Sequence, residues 1–529
     1  MNDVSYVNDI DIVPNTCYLF PTNVVEIHDI LRSLKNKGNK LYDITPEILY
    51  VIKDRLMPLL EYLYNFCLSC GVYPTALKIA RIVPIFKSGD RALTSNYRPI
   101  SNLSSINKIF EQLTFNRLQQ FITKNNILSN LQSGFRKKSN TTLAIFNLLN
   151  DFTVTFNRKF YNIALFIDLR KAFDVIDKSI LIKKLSAYGF RGVSGTFLSS
   201  YLTDRKQYVS IDAYESDILP IDYGVPQGSV LGPLLFNIFI NDLINLNSCK
   251  KILFADDTVM YTESSSFLGC VDQMKMIIDS LDYWLKNNKL LINVSKTKLM
   301  LITTCTKPDL PSLYFRGGKI EWTDSIIYLG MYIDCKLKFR EHIDYVCMRL
   351  SRLLGVFYSL RNYVPRSNLL TLYYSLVYPI LMQDLIIWGG CSNVHLDRIK
   401  IIQNKILRNI LKVKFTNFIP DMHVTDMYKE LKILKFEDIY NLSLLRFIHF
   451  IFYERFDIFM NYFSQYLPNC SYNIRNQRIN LPYARTDVVK SFTIFKCCEV
   501  IRSSPDEFLE NVSFNVIKKR FKDISLSSY

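Results

Sequence analysis

Two adjacent carboxylates, Asp256 and Asp257, stand between the apolar runs Ile252-Leu253-Phe254 and Val259-Met260-Tyr261. Read as the two strands of a hairpin, these runs hold both acids at one tight turn. Upstream, Asn162-Ile163-Ala164-Leu165-Phe166-Ile167 is another strand-like run, ended by a third acid, Asp168, and followed by Leu169-Arg170-Lys171-Ala172-Phe173-Asp174. Magnesium favours hard oxygen donors of this kind beside substrate phosphates. Two such ions about 3.5–4 Å apart activate an attacking oxygen and stabilise a leaving one in an in-line phosphoryl displacement. The chemistry indicated is nucleotidyl transfer. An Asp-Asp pair taken alone is more often a solvated turn, so the weight rests on what accompanies it.

Around the acids stands an ordered set: Tyr97-Arg98-Pro99-Ile100-Ser101, Gln132-Ser133-Gly134-Phe135-Arg136, the Asp168 segment, Gly224-Val225-Pro226-Gln227-Gly228-Ser229, and then the Asp-Asp turn. In this order and spacing these segments resemble the reverse transcriptases of non-LTR retrotransposons, the jockey-like and related LINE elements. The resemblance begins near Glu26-Ile27-His28-Asp29-Ile30-Leu31 and runs through Lys78 to Lys87 and Tyr328-Leu329-Gly330. It is loose at Lys490-Ser491-Phe492 and from Ser504 to Phe521. Group II intron maturases share the fold but fit the flanking segments less well. The resemblance implies an α+β fold, a right-hand polymerase of fingers, palm and thumb with a helical C-terminal region. It also implies an RNA-directed DNA polymerase, with an RNA template, a DNA primer and deoxynucleoside triphosphates as partners.

Residue roles follow from the same resemblance. Asp168 and Asp256 are the expected ligands of two Mg2+ ions, for which Mn2+ substitutes, with Asp257 completing the site and the Leu169 carbonyl adding an oxygen. Phe173 is placed beneath the incoming sugar, where a ring excludes a ribose 2′ hydroxyl. Lys87 and Arg98 match fingers positions that grip the triphosphate, Arg98 as a fork and Lys87 as a point charge. Gln227 lies beside the nucleotide, and Gly228 permits close backbone approach. Lys296, in Asn293-Val294-Ser295-Lys296-Thr297, is the candidate acid for the pyrophosphate, with Lys298 behind it. Here the chain departs from the family, which often has a glycine shortly before this motif where Lys289-Leu290-Leu291 stands.

The intervals expected are a lead-in at 1–45, fingers at 46–160, palm at 161–335, thumb at 336–415 and a C-terminal domain at 416–529. Asn36-Lys37-Gly38-Asn39-Lys40 reads as a polar turn within the lead-in. From Leu396 to Phe415, Ile399, Ile402, Ile406, Ile410 and Val413 recur at helical spacing. Arg398, Lys405, Arg408 and Lys412 form a basic stripe beside them, interrupted by Ile401 and suited to nucleic-acid phosphates. An ordinary solvated face has equal standing.

Composition agrees with this reading. The 529 residues are 49% hydrophobic and carry a net charge of +17, which suits large cores and an anionic partner. The amino terminus lacks the basic and apolar segments of a signal peptide. The apolar stretch from Leu369 to Trp388 is interrupted by Pro379, Gln383 and Asp384, so a buried helix is expected rather than a membrane span. The cysteines are scattered and read as reduced and mostly buried, with the Cys67-Leu68-Ser69-Cys70 spacing assigned to burial over zinc. An intracellular protein of the cytoplasm, the nucleus or both is expected. With only residues 1–45 ahead of the fingers, where the resembling elements carry an endonuclease, the chain is expected to extend a supplied primer without nicking DNA. Integration then needs an endonuclease in trans. The competing function is a catalytically inactive or domesticated retroelement protein that binds nucleic acid; the intact Asp168, Asp256 and Asp257 argue against it.

Overall fold

The computed structural model describes residues 12–34, 44–212, 214–246, 249–413, 415–416, 419–420, 422–453, 462–466, 479–505, 508 and 512–529. The turn expected at Asn36–Lys40, and Asp506 within the Ser504–Phe521 segment, lie outside these.

A six-stranded sheet carries the acids. Its strands run in the order Leu313–Phe315, Gly318–Trp322, Lys298–Thr303, Tyr161–Ile167, Asp257–Ser264 and Lys250–Phe254. Side chains alternate across a strand, and here both faces are covered. Ile163, Leu165 and Ile167 enter one core with Leu299, Leu301, Met260 and Leu253. Ala164 and Phe166 enter a second core with Met300, Ile302, Val259 and Tyr261. Burial on both faces is why Tyr161–Ile167 reads as an unbroken apolar run rather than an alternating one.

The first core is closed by helices including Ser105–Lys124, Lys178–Ala187, Val193–Leu202, Gly232–Ile240 and Phe267–Asn287. The second is closed by Thr141–Arg158 and by the helices beyond Tyr328. A separate five-stranded sheet contains Tyr97–Asn102, Ile79–Phe86, Arg205–Ile211 and Tyr214–Glu215, with Leu219–Ile221 also pairing Arg205–Ile211. Its parallel pairing of Ile79–Phe86 with Arg205–Ile211 joins residues from the expected fingers and palm intervals in one sheet. The α+β architecture is the one expected.

Past the hairpin Ser325–Tyr328 and Met331–Asp334 the chain is helical, through Arg340–Leu360, Arg366–Leu372, Tyr378–Met382, Leu385–Trp388 and Asn393–Leu411. The stretch from Leu369 to Trp388 is not the single buried helix expected. A π turn at Tyr373–Val377 precedes Pro379, and the helix stops at Gln383, after which Asp384 takes a left-handed φ of +51°. Among the described residues no helix is long and apolar enough to cross a membrane. Cys70, at the end of the helix Lys53–Cys70, is exposed and Cys67 is half-buried, so the burial expected there does not hold for Cys70. Gly71, at φ +66°, ends that helix in the left-handed conformation that glycine adopts most freely.

Candidate active site

The strand Tyr161–Ile167 pairs antiparallel with Asp257–Ser264 as far as Ile167 with Thr258, and Phe254 pairs with Asp257 across the hairpin. The register brings Asp168, one residue past its strand, level with Asp257. Ala255 and Asp256 form the two-residue turn, with Ala255 at φ +56°. Two-residue hairpins require positive φ, and a side chain there is held against its own preference.

Asp168 is pinned from the other side. Its carbonyl accepts the Asn293 N–H at 2.7 Å, and its own N–H points to the Thr297 hydroxyl at 3.4 Å. Arg170 donates its N–H to the Leu291 carbonyl at 2.8 Å. Leu169 sits opposite Ile292 between these bonds, as the unbonded pair of a short antiparallel bridge. Its carbonyl is therefore turned away from the Leu291–Asn293 segment.

The acids feel one another. Burial raises Asp256, and the charge of Asp168 adds to this, while Arg98 and Lys87 oppose it. Asp257 is raised to about 6 by loss of water around its carboxyl and by the charges of Asp256 and Asp168, against Lys87. Among the described residues no group of three or more His, Cys, Asp or Glu side chains is arranged to hold a metal ion. The three carboxylates are nevertheless near enough to repel, all hard oxygen donors, and a divalent cation relieves that repulsion. By donor type the set fits magnesium.

Lys87 and Arg98 face this centre from the five-stranded sheet. Arg98 pairs with Ile85, and the Lys87 N–H bonds the Asn96 carbonyl at 2.9 Å, which puts Arg98 on one strand and Lys87 just past the end of its neighbour. Both are exposed. Phe173 is half-buried, stacked on Phe236 with centroids 4.3 Å apart and set edge-on to Phe135 at 6.1 Å. Gln227 donates its amide to Asp174 at 2.7 Å, and its carbonyl accepts the Ser101 N–H at 2.6 Å, so this loop ties the strand Tyr97–Asn102 to the segment that follows Asp168. At Gly228, φ +110°, an added Cβ would meet the Ser101 carbonyl oxygen at 2.8 Å. Close approach, not only turn chemistry, demands the glycine.

Lys296 lies in the turn that bonds Asp168, and its N–H donates to the Asn293 carbonyl. Lys298 is instead ion-paired with Glu321. Lys289, where the family often has glycine, has φ +53° and pairs with Asp177 at 2.8 Å. The backbone there is the left-handed one that glycine takes without strain.

The basic stripe is only partly arranged as expected. The helix ends at Leu411, with Lys412 at φ +56°, so Lys412 and Val413 lie past it. Leu396, Ile399, Ile406 and Ile410 form the buried face. Lys405 and Lys412 are exposed, Arg408 is half-buried, and Arg398 is ion-paired with Asp344 of the facing helix.

Sequence reasoning quoted Gln132 and Gly134 as a motif but gave them no role. The Gln132 side-chain carbonyl accepts the Ala255 N–H at 2.9 Å and the Gly134 N–H at 2.8 Å. Buried Glu111 was missed altogether; it accepts from the Tyr201 hydroxyl at 2.7 Å and the Val230 N–H at 2.6 Å, anchoring the loop after Gly228. A lone acid on a helix gives no signal of this.

Residues 85–333 match the family model for reverse transcriptase (RNA-dependent DNA polymerase). The chain is 29% identical over 432 residues to the RNA-directed DNA polymerase from mobile element jockey of Drosophila melanogaster, covering 78% of this chain and 46% of that protein. Its counterpart from Drosophila funebris is 28% identical over 441 residues, covering 79% and 46%. The probable RNA-directed DNA polymerase from transposon BS of Drosophila melanogaster is 31% identical over 410 residues, covering 74% and 44%. The chain thus spans about half the length of the curated relatives it matches. The jockey-like resemblance read from the motifs is borne out.

Proposed function

We propose, for a chain whose residues 85–333 match the reverse transcriptase family model, that it is an RNA-directed DNA polymerase of a non-LTR retrotransposon. It would add deoxynucleotides to a primer 3′ end annealed to RNA. The observation that carries the reading is the convergence of Asp168, Asp256 and Asp257 at the ends of paired central strands, where Arg98 and Lys87 act on Asp256.

Asp168, Asp256 and Asp257 would hold two magnesium ions, with the Leu169 carbonyl as a further oxygen; such a pair supplies activation of the attacking hydroxyl and charge stabilisation at the phosphate. The protein does the rest by placement. Arg98 and Lys87 bind the triphosphate from the five-stranded sheet. Phe173, held by its stack on Phe236, presents a wall to the sugar. Gln227 and Gly228 form the surface beside the nucleotide, fixed through Asp174 and Ser101. Lys296 is positioned beside Asp168 to give a proton to the leaving pyrophosphate. Lys405 and Lys412 track the phosphates of template and primer, and the protein works in the cytoplasm or nucleus.

Primer extension tests the reading, with purified protein, an RNA template, an annealed DNA primer, deoxynucleotides and magnesium. Asp256→Asn removes a charged ligand at constant volume and is expected to abolish extension while binding of the annealed primer persists. Residual activity above about a tenth of wild type, about 1.4 kcal/mol of barrier, sinks the ligand assignment. A wild-type protein that binds but never extends would favour the inactive nucleic-acid binder.

A further inference from the structure

We infer that Gln132 is the positioning residue of the Asp256 turn: its side-chain carbonyl, acting beside the Phe254–Asp257 pair, holds Ala255 in the left-handed conformation that presents the two carboxylates. The inference rests on the polymerase reading only for its catalytic consequence.

On the edge of Lys250–Phe254 away from the hairpin partner, backbone pairing stops at Leu253, short of the turn. The residues on either side of Gln132 join the edge strand through Ser133 N–H to the Leu253 carbonyl at 2.8 Å and Leu253 N–H to the Leu131 carbonyl at 3.0 Å. That seals the edge at Leu253. The next ladder position is left to the Gln132 side chain, which reaches Ala255 itself at 2.9 Å. Ala255 is buried at 4% exposure and Gln132 at 2%, so an Ala255 N–H without this acceptor would be a buried, unsatisfied donor.

Gly134 completes the clamp. It donates to the same Gln132 oxygen, and its carbonyl accepts the Asn237 amide at 2.8 Å, which ties the loop to the helix Gly232–Ile240. A Cβ at Gly134 would fall 2.3 Å from the Ala255 nitrogen and 2.9 Å from the Phe254 carbonyl carbon, both backbone atoms that cannot swing aside. The motif thus places a bare backbone and one carbonyl oxygen against the turn. Asp256 is the residue after Ala255, so an error in the Ala255 dihedrals swings its carboxylate directly.

The test pairs hydrogen exchange with kinetics. Gln132→Met keeps the length and removes the acceptor; Gln132→Glu keeps an acceptor at the same reach. Backbone exchange in the peptide spanning residues 252–257 is expected to rise about tenfold or more in Gln132→Met and to stay within about threefold of wild type in Gln132→Glu. With primer and template, Gln132→Met is expected to lower kcat about tenfold or more while the Kd for the annealed primer-template changes less than about threefold. Unchanged exchange in Gln132→Met, or equally fast exchange in Gln132→Glu, overturns the clamp. So does a kcat that does not fall, or that falls only in step with binding. If wild-type protein extends no primer, the polymerase reading fails alone, and exchange still decides on the clamp. Gly134→Ala, which pushes on the turn from the other side, is expected to raise exchange in the same peptide; protection as in wild type counts against the inference.

Discussion

Phe173 is where packing and the proposed sugar selection can be told apart. Its ring is stacked on Phe236 yet remains half-buried. Phe173→Val should open room beneath the sugar and lower the ratio of deoxynucleotide to ribonucleotide incorporation. It should also cost about 1–3 kcal/mol of stability from lost ring contact. A ratio that stays put while the melting temperature drops would make Phe173 a core residue only. At this scale the acids were legible because each ends an apolar run, a pattern visible within a few residues. Gln132 was not, because the atoms it serves lie 123 positions away. The missing glycine before Asn293 remains a departure from the family, and Lys289 there takes the left-handed backbone itself while its side chain pairs with Asp177.

At the scale of elements, the helix Arg340–Leu360 is seated on the hairpin before it through His342. Its Nδ1 lies 3.4 Å from the Tyr332 N–H, and Trp388 packs near the ring with centroids 5.6 Å apart. Burial, aided by the charge of Arg349, lowers His342 to about 4. Above pH 6.5 the ring is neutral folded or unfolded. Between 6.5 and 4 only the unfolded chain takes up the proton, so stability falls as pH falls through that window, by about 3 kcal/mol in all. His342→Asn keeps an acceptor but does not titrate. Denaturant melts at pH 7 and pH 4.5 should therefore show a smaller loss for the variant; equal losses would mean that His342 does not report the seating.

The helix Asn393–Leu411 supplies the companion prediction. Neutralising Lys405 and Lys412 should flatten the salt dependence of primer-template binding by up to about 0.7–0.9 per lost phosphate contact, without regard to sequence. Neutralising Arg398 should do less, since Asp344 already engages it. An unaltered salt slope in the double variant would return the stripe to solvent. The helix was legible by its period, but its end was not: a left-handed lysine closes it where sequence reasoning looks for glycine or asparagine. The break after Met382 was hidden for the same reason, with Asp384 taking positive φ.

At the scale of the whole molecule, the matched region is not a self-contained body. Residues 85–333 hold the acids, but the six-stranded sheet is buried on both faces, and one face is closed in large part by residues after 333. Trp388, Ile399, Phe436 and Ile448 share a core with Phe166, Val259 and Met300. On the other side, Ile27, Leu31, Tyr64 and Tyr73 belong to the core of Phe110 and Leu165. Arg117, whose side chain is fully buried, meets Glu26 at 3.0 Å. Cutting before residue 85 removes that partner and leaves a buried charge uncompensated, a loss of about 3–5 kcal/mol, against a whole stability of about 5–15 kcal/mol for a typical domain. Periodicity in the sequence could show which strands are doubly buried but not which distant helices cover them, so the matched boundaries look like a unit when they are not. Residues 85–333 expressed alone should therefore aggregate or melt without a cooperative transition and bind a hydrophobic dye, while the full chain melts cooperatively. A monodisperse 85–333 fragment with a sharp melt would show that the flanking helices lie on the sheet without being needed to hold it.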